Sequence, residues 1–338
     1  MIGVMSGSSL DGIDVAYCRF VKHDEDWTHA IEDAATVPFD EAMRKRLLGV
    51  MQGPALELAR LDRDLGRMIA RACNELRAGR PLDLIGSHGH TIFHQPLEGL
   101  TTQIGSGAQI AALTGRPVVF DLRSKDVALG GQGAPLVPFG ERALFNGTDT
   151  FLNLGGIANV SHHGPDKVTG YDICTCNQAL NLLANEAELA YDKDGALSRV
   201  GQVVPELLNA LDALPFYRQA PPRSLGREWF DEHLAPLVKD ERLALRDRLR
   251  TVTEHIAHTI ADALRHGSAQ RVLVTGGGAH NAFLIERLQA LSRAEIAVPE
   301  ASTVEFKEAL VFAFLGLMRW RGEVNTLASV TGAPQDSI

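Results

Sequence analysis

Positive charge is in short supply in this chain: 33 Lys and Arg stand against 42 Asp and Glu, for a formal net charge of -9. That balance argues against nucleic acid as the main partner, because binding a phosphate backbone needs a basic surface. It leaves room for a local nucleotide site. Cysteine is scarce as well, and Cys18, Cys73, Cys174 and Cys176 are irregularly placed, which speaks against a disulfide framework or a paired zinc site and fits a cytoplasmic address. The N-terminal MIGVMSG lacks a basic start followed by a long apolar stretch, so no signal peptide is expected. The longest apolar run, Ala309 to Met318, is about half the ~20 residues of a membrane helix and reads as a buried core helix. There is no low-complexity tail and no short-period repeat.

Glycine, by contrast, is concentrated in three knots: Gly3 to Gly12 in IGVMSGSSLDG, Gly155 and Gly156 in FLNLGGIANVS, and Gly276 to Gly278 in VLVTGGGAHN. Each follows an apolar, β-branched run. A strand that ends in glycine, serine and asparagine turns its backbone N–H groups outward, the arrangement that cradles phosphate. The 338 residues suit roughly two domains. Residues 13–20, 33–39, 84–86 and 117–122 read as strands, and Leu61, Leu65, Met68, Ala72 and Leu76 recur at helical spacing. The second half repeats the scheme of strand, glycine turn and strand, then adds a third strand in KVTGYDI and a helix from Gln178. A long helix over about 243–265 turns Leu249, Val252, Ile256, Ile260 and Leu264 inward. Weak internal duplication is the consequence.

The first knot holds Gly7, Ser8, Ser9, Leu10, Asp11, Gly12, Ile13 and Asp14. Two hydroxyls and two carboxylates exceed what a hairpin demands. They point to backbone and hydroxyl donors for ATP phosphates, with Asp11 and Asp14 holding magnesium through water. The knot is neither a Walker A loop nor G-x-G-x-x-G. The second and third knots add Gly155, Gly156, Asn159, Gly276, Gly277, Gly278 and Asn281 as nucleotide contacts. His88, His90 and His94 lie on a strand where alternate residues share a face, yet no neighbouring carboxylate or cysteine completes a metal site; sugar hydroxyls or packing are the better reading. Cys174 and Cys176 read as small apolar fillers. Gly130, Gly131 and Gly133, with Pro135 and Pro138, read as a rigid wall.

These three loops resemble the phosphate 1, phosphate 2 and adenosine motifs of the sugar kinase, Hsp70 and actin superfamily. MSGSSLDGID, GSHGHTIFHQP, LGGQGAPLVP, FLNLGGIANVS and VTGGGAHN together resemble the anhydro-N-acetylmuramic acid kinase family, from residue 1 to about residue 320. The resemblance implies an α/β, two-domain actin-like ATPase (ribonuclease H-like) fold with a central cleft and a mixed five-stranded sheet in each domain. Residues 1–128 with about 307–338 would form one domain, and 129–306 the other, which carries the nucleotide. It implies ATP and magnesium as cofactors, an anhydro amino sugar as substrate, a homodimer, and no nucleic acid or membrane partner.

Asp172, taken alone, reads as a helix N-cap; the resemblance makes it the general base. His90, Thr91, Gln103, Gln132, Asn177 and Glu308 become sugar contacts by the same route. The chain departs from the family pattern twice. Asp172-Ile173-Cys174-Thr175-Cys176-Asn177 stands where many members have threonine, glycine, proline, glycine and asparagine after the aspartate, and Gln103-Ile104-Gly105-Ser106 lacks a carboxylate. A kinase for another sugar, or a non-catalytic ATP-gated sensor, stays open at this level.

Overall fold

The computed structural model describes residues 1–7, 10–24, 26–164, 167–221, 223–267 and 269–338. Ser8 and Ser9, two of the expected phosphate ligands, lie outside the described residues. The chain divides into two units, Met1–Asn146 with Phe306–Ile338, and Gly147–Glu305. The first crossing falls at 146/147, against the expected 128/129. The helix Val137–Leu144 explains the shift, because Leu144 joins a buried cluster with Ala309, Leu310 and Phe314 in the first unit.

In the first unit the strands are β1 (Ile2–Ser6), β2 (Gly12–His23), β3 (Asp26–Pro38), β4 (Ile85–Gln95), β5 (Leu100–Ile104) and β6 (Val118–Val119). They run in the order β3-β2-β1-β4, and β4 also pairs with β5 and β6. β1, β2 and β3 form an antiparallel meander, while β4 and β6 continue the sheet in parallel. In the second unit they are β7 (Thr150–Leu154), β8 (Ile157–His163), β9 (Val168–Thr175), β10 (Arg271–Thr275) and β11 (Glu295–Ala297). Their order is β11-β10-β7-β8-β9, again an antiparallel meander on one side of the first strand and parallel strands on the other. The duplication is therefore topological, and each unit has the ribonuclease H-like α/β plan. One detail differs from expectation: the first sheet has six strands, because Leu100–Ile104 folds back on the far half of β4.

Periodicity places the main helices. Ala55–Arg77 buries Leu61, Leu65, Ile69, Cys73 and Leu76 on one stripe, and Leu245–His266 buries Leu249, Val252, Ile256, Ile260 and Leu264. Each fully buried leucine or isoleucine contributes about 1.5–3 kcal/mol. The helix Ala301–Arg321, interrupted by non-helical backbone at Phe306, contains the buried run expected after Ala309. No helix among the described residues is long and apolar enough to cross a membrane.

That last helix touches the sheet at its glycines. A Cβ on Gly3 would sit 1.8 Å from the Ala309 carbonyl oxygen, and one on Gly86 would sit 2.4 Å from that of Phe312. Gly3 thus serves close helix-to-strand packing inside β1, not a phosphate turn. The contact also fixes Glu308, one residue before Ala309.

Candidate active site

In the second unit β7 and β10 are parallel neighbours, with Thr275 paired to Asn153. Their following turns, Gly155-Gly156 and Gly276 to Gly278, therefore leave the sheet at the same end. The carbonyls of Gly155 and Gly156 accept from the amides of Asn177, Cys176 and Gln178 at 2.8–3.1 Å, at the start of the helix Asn177–Ala184. The amides of Gly155, Gly156, Gly277 and Gly278 have no partner among the described residues. Four N–H groups without a partner among the described residues at one end of a sheet are the donor set of an anion cradle, Gly278 being buried and the other three at least partly exposed.

Gly276 has φ +83°, and a Cβ there would lie 2.4 Å from Asn153 Oδ1, so this turn admits only glycine without strain. Asn177 holds the cradle from inside: its Nδ2 donates to the Leu154 carbonyl at 3.0 Å. Asn281 caps the helix Ala282–Leu291, accepting from Leu284 N.

Beside the cradle, ladder partners Thr275 and Asn153, Asn153 and Asn159, and Asn159 and Asp172 set a polar row across β10, β7, β8 and β9. Leu152, Leu154, Val160, Val272 and Val274 alternate with this row and enter the apolar core, so the row occupies the other face of the sheet. Asp172 is not at a strand end as the sequence suggests, since β9 continues to Thr175. Nor is it an N-cap; Cys176 holds that position. The Asp172 Oδ2 atom accepts from Ser224 Oγ at 3.1 Å and Leu225 N at 2.9 Å, and the Arg223 guanidinium donates to its backbone carbonyl. Clamping one carboxylate oxygen leaves Oδ1 for a ligand. Burial pushes the Cys176 thiol up to about 12 and holds the Cys174 thiol well above its ordinary value, so both remain neutral fillers.

In the first unit, the turn after β1 keeps Leu10 at φ +59°, with the Leu10 carbonyl accepting from Arg44 Nε at 3.2 Å. The Gly7 carbonyl accepts from Leu10 N. Asp11 is exposed, while Asp14 Oδ1 accepts from Thr36 Oγ1 at 2.6 Å. Two expected ligands serve the sheet instead: Ile13 is fully buried in the core, and Gly12 lies where a Cβ would meet the Val37 carbonyl oxygen at 2.4 Å. Glu308 retains exposed surface but is crowded by protein. Desolvation raises its carboxyl pKa, with the charges of Asp14 and Glu141 adding and those of Lys307 and Arg123 opposing.

His88 and His90 do not share a face. Gly89 has φ +74° and the β1–β4 register shifts after Val4, so one residue is bulged and the alternation breaks. The ring of His88 lies against Phe312 and its Nε2 accepts from Arg123 Nε at 2.8 Å. His90 instead meets Phe39 and Ser6 Oγ. Gln103 Nε2 donates to Thr91 Oγ1 and Thr101 Oγ1 at 3.3 and 2.9 Å, leaving its buried Oε1 without a partner. His94 lies at the exposed end of the same strand, with Nδ1 3.1 Å from Thr101 Oγ1. The Gly130 to Gly133 loop is tied down: the buried Asp126 accepts from the amide of Gly133 at 2.7 Å and from Thr331 Oγ1 at 2.7 Å, and Gln132 N donates to the Thr331 carbonyl. The Gln132 side chain is exposed.

Sequence reasoning missed Asn153, Thr275, Ser224 and Arg123. Asn153 had a signal, an asparagine breaking the apolar run FLNL. Arg123 had none, because its partners come from a distant strand and loop.

Among solved structures, the chain is similar to the activator of 2-hydroxyisocaproyl-CoA dehydratase from Clostridium difficile with bound ADPNP, at 14% identity and a TM-score of 0.47, covering 95% of both chains. It is also similar to a ROK family glucokinase from Streptomyces griseus in complex with glucose and AMPPNP, at 13% identity and a TM-score of 0.46, covering 94% of this chain and 99% of that one. Among sequences, anhydro-N-acetylmuramic acid kinase from Sulfurovum sp. (strain NBC37-1) is 36% identical over 100% of this chain and 97% of its own length. That from Vibrio vulnificus (strain YJ016) is 37% identical over 98% and 95%. The profile of the anhydro-N-acetylmuramic acid kinase family matches residues 1–338, and the chain therefore belongs to that family.

Proposed function

We propose that this chain is an ATP-dependent kinase that opens the 1,6-anhydro bond of 1,6-anhydro-N-acetylmuramic acid and phosphorylates O6, giving N-acetylmuramic acid 6-phosphate for peptidoglycan recycling. Support comes from the full-length family match and, above all, from the position of Asp172 on the polar row beside four glycine amides that have no partner among the described residues. The amides of Gly155, Gly156, Gly277 and Gly278 receive phosphate oxygens of ATP, and Asn159 lines the approach. Gly7, Leu10 and Asp11 are proposed as further nucleotide ligands on their motif alone.

Asp172 Oδ1 takes a proton from water, and the resulting hydroxide oxygen bonds to the anomeric carbon. The bond from that carbon to O6 breaks, its electron pair stays on O6, and O6 attacks the γ-phosphorus with ADP leaving. Ser224 and Leu225 keep the carboxylate oriented throughout. The hard oxygen donors Asp11 and Asp14 suit magnesium held through water; when bound, that ion neutralises phosphate charge. Gln103, whose buried Oε1 has no partner among the described residues, is proposed as a sugar contact on its motif, as are Thr91, His90, Gln132 and Glu308. Asn177 acts by shaping the cradle. A cytoplasmic homodimer belongs to the same proposal, and light scattering checks the dimer.

The deciding experiment runs the reaction in heavy-oxygen water with ATP and the anhydro sugar. ADP release should depend on the sugar, and the label should appear on the anomeric hydroxyl. Label in the phosphate, or ADP release indifferent to the sugar, would overturn the proposal.

A further inference from the structure

Away from the glycine turns, Asp212 closes the helix Pro205–Asp212 and faces His255 and His258, three residues apart on one side of the helix Leu245–His266. One ligand atom from each of the three residues lies within 4.8 Å of the other two, the one such group among the described residues. Asp212 Oδ1 stands 2.6 Å from His255 Nδ1 and 3.1 Å from His258 Nε2. Only the first contact is a hydrogen bond; the buried His258 Nε2 makes none, and neither does the far nitrogen of His255. His255 is 1% exposed and is wedged between the rings of Tyr217 and His258 at 4.9 and 5.5 Å. Asp212 and His258 open onto a cavity of about 580 Å³ that Arg218, Arg223 and His266 also line.

We propose that Asp212, His255 and His258 bind one transition-metal ion of the zinc class, with a coordination position open to this cavity. Two imidazoles and one carboxylate are a zinc, cobalt or nickel donor set, whereas magnesium and calcium want oxygen. Bonds of about 2.0–2.2 Å place tetrahedral ligand atoms about 3.3 Å apart, so the two separations from Asp212 Oδ1, 2.6 and 3.1 Å, need to widen by less than about 1 Å. The ion would displace the proton now shared by Asp212 and His255 and would tie the two helices together. None of the three residues lies in the glycine turns or the polar row, although Arg223 of the same cavity also donates to the Asp172 carbonyl.

The test uses the full chain freed of metal by a chelator, then titrated with zinc in a calorimeter and with cobalt under visible absorption. One equivalent of each should bind, cobalt giving the strong visible bands of a low-coordinate nitrogen and oxygen site. His258→Ala and Asp212→Asn should each weaken zinc by at least about 100-fold, whereas His266→Ala, on the same cavity, should bind like the wild type. Circular dichroism establishes that the variants are folded. Absence of one-to-one uptake by the wild type would overturn the site whatever the variants do, and so would undiminished uptake in folded His258→Ala and Asp212→Asn.

Discussion

Asn159 and Asp172 stand opposite each other in the β8–β9 ladder, at the point where a bulge breaks the register after Ala158. The pairing puts an amide and a carboxylate on the same face, next to the cradle. Asp172→Asn keeps the shape and the bonds from Ser224 and Leu225 to an oxygen, but removes the proton acceptor. Turnover should fall by roughly 10²- to 10⁴-fold, with both ring opening and phosphorylation lost together. Calorimetry should find nucleotide affinity nearly unchanged. An active variant would exclude Asp172 as the base.

Gly276→Ala adds a methyl group at φ +83°, 2.4 Å from Asn153 Oδ1. The backbone strain alone costs about 1–3 kcal/mol, and relief requires moving Asn153 or the turn. A lower melting temperature and weaker nucleotide binding are expected together. Wild-type affinity in the folded variant would show that this turn does not touch the nucleotide.

His88 carries a pH signature. Burial, then the neighbouring Arg123 charge, depress its pKa from 6.5 to about 3, so the folded protein holds it neutral while the unfolded chain protonates it near 6.5. The unfolded state binds the extra proton in that window, and stability contributed by neutral His88 is lost as pH falls from 6.5 toward about 3. His88→Gln retains an acceptor for Arg123 and cannot titrate. Its melting temperature should decline less steeply with acidification than that of the wild type; parallel declines would remove His88 from the acid response.

Gly3→Ala should destabilise the first unit by about 1–3 kcal/mol, the usual cost of overpacking, and should lower turnover as well, because the Ala309 carbonyl it displaces adjoins Glu308. Denaturant melts and steady-state kinetics measure the two effects separately. Lost stability with untouched kinetics would detach Glu308 from the reaction.

The helices were legible in the sequence because Leu61 to Leu76 and Leu249 to Leu264 repeat at the helical period, and the topology was legible from strands that end in glycine. β4 was not. Its central GSHGHT carries polar groups that only long-range partners satisfy: Arg123 for His88 and Ser6 for His90. The inferred shared face of these histidines failed because alternation assumes regular backbone, and Gly89 at φ +74° breaks it. The chain crossing was hidden for a similar reason. Gly130 to Gly133 has the composition of a linker, but Asp126 and Thr331 fasten it from outside its own neighbourhood. Asp172 was found through its motif, while the clamp from Ser224 and Leu225 depends on a loop whose path no local pattern encodes.

The first unit is discontinuous, and its sheet is covered by a helix that closes only after residue 306. During synthesis β1 leaves the ribosome early but must wait for Ala309 and Ala313, whereas Gly147–Glu305 is contiguous and its last strand, Glu295–Ala297, precedes them in the chain. The order of synthesis along the chain should therefore differ from the order of folding: the contiguous middle segment has all its strands before the discontinuous unit receives its last helix. Released chains truncated after Glu305 should resist protease across 147–305 and be cut before it.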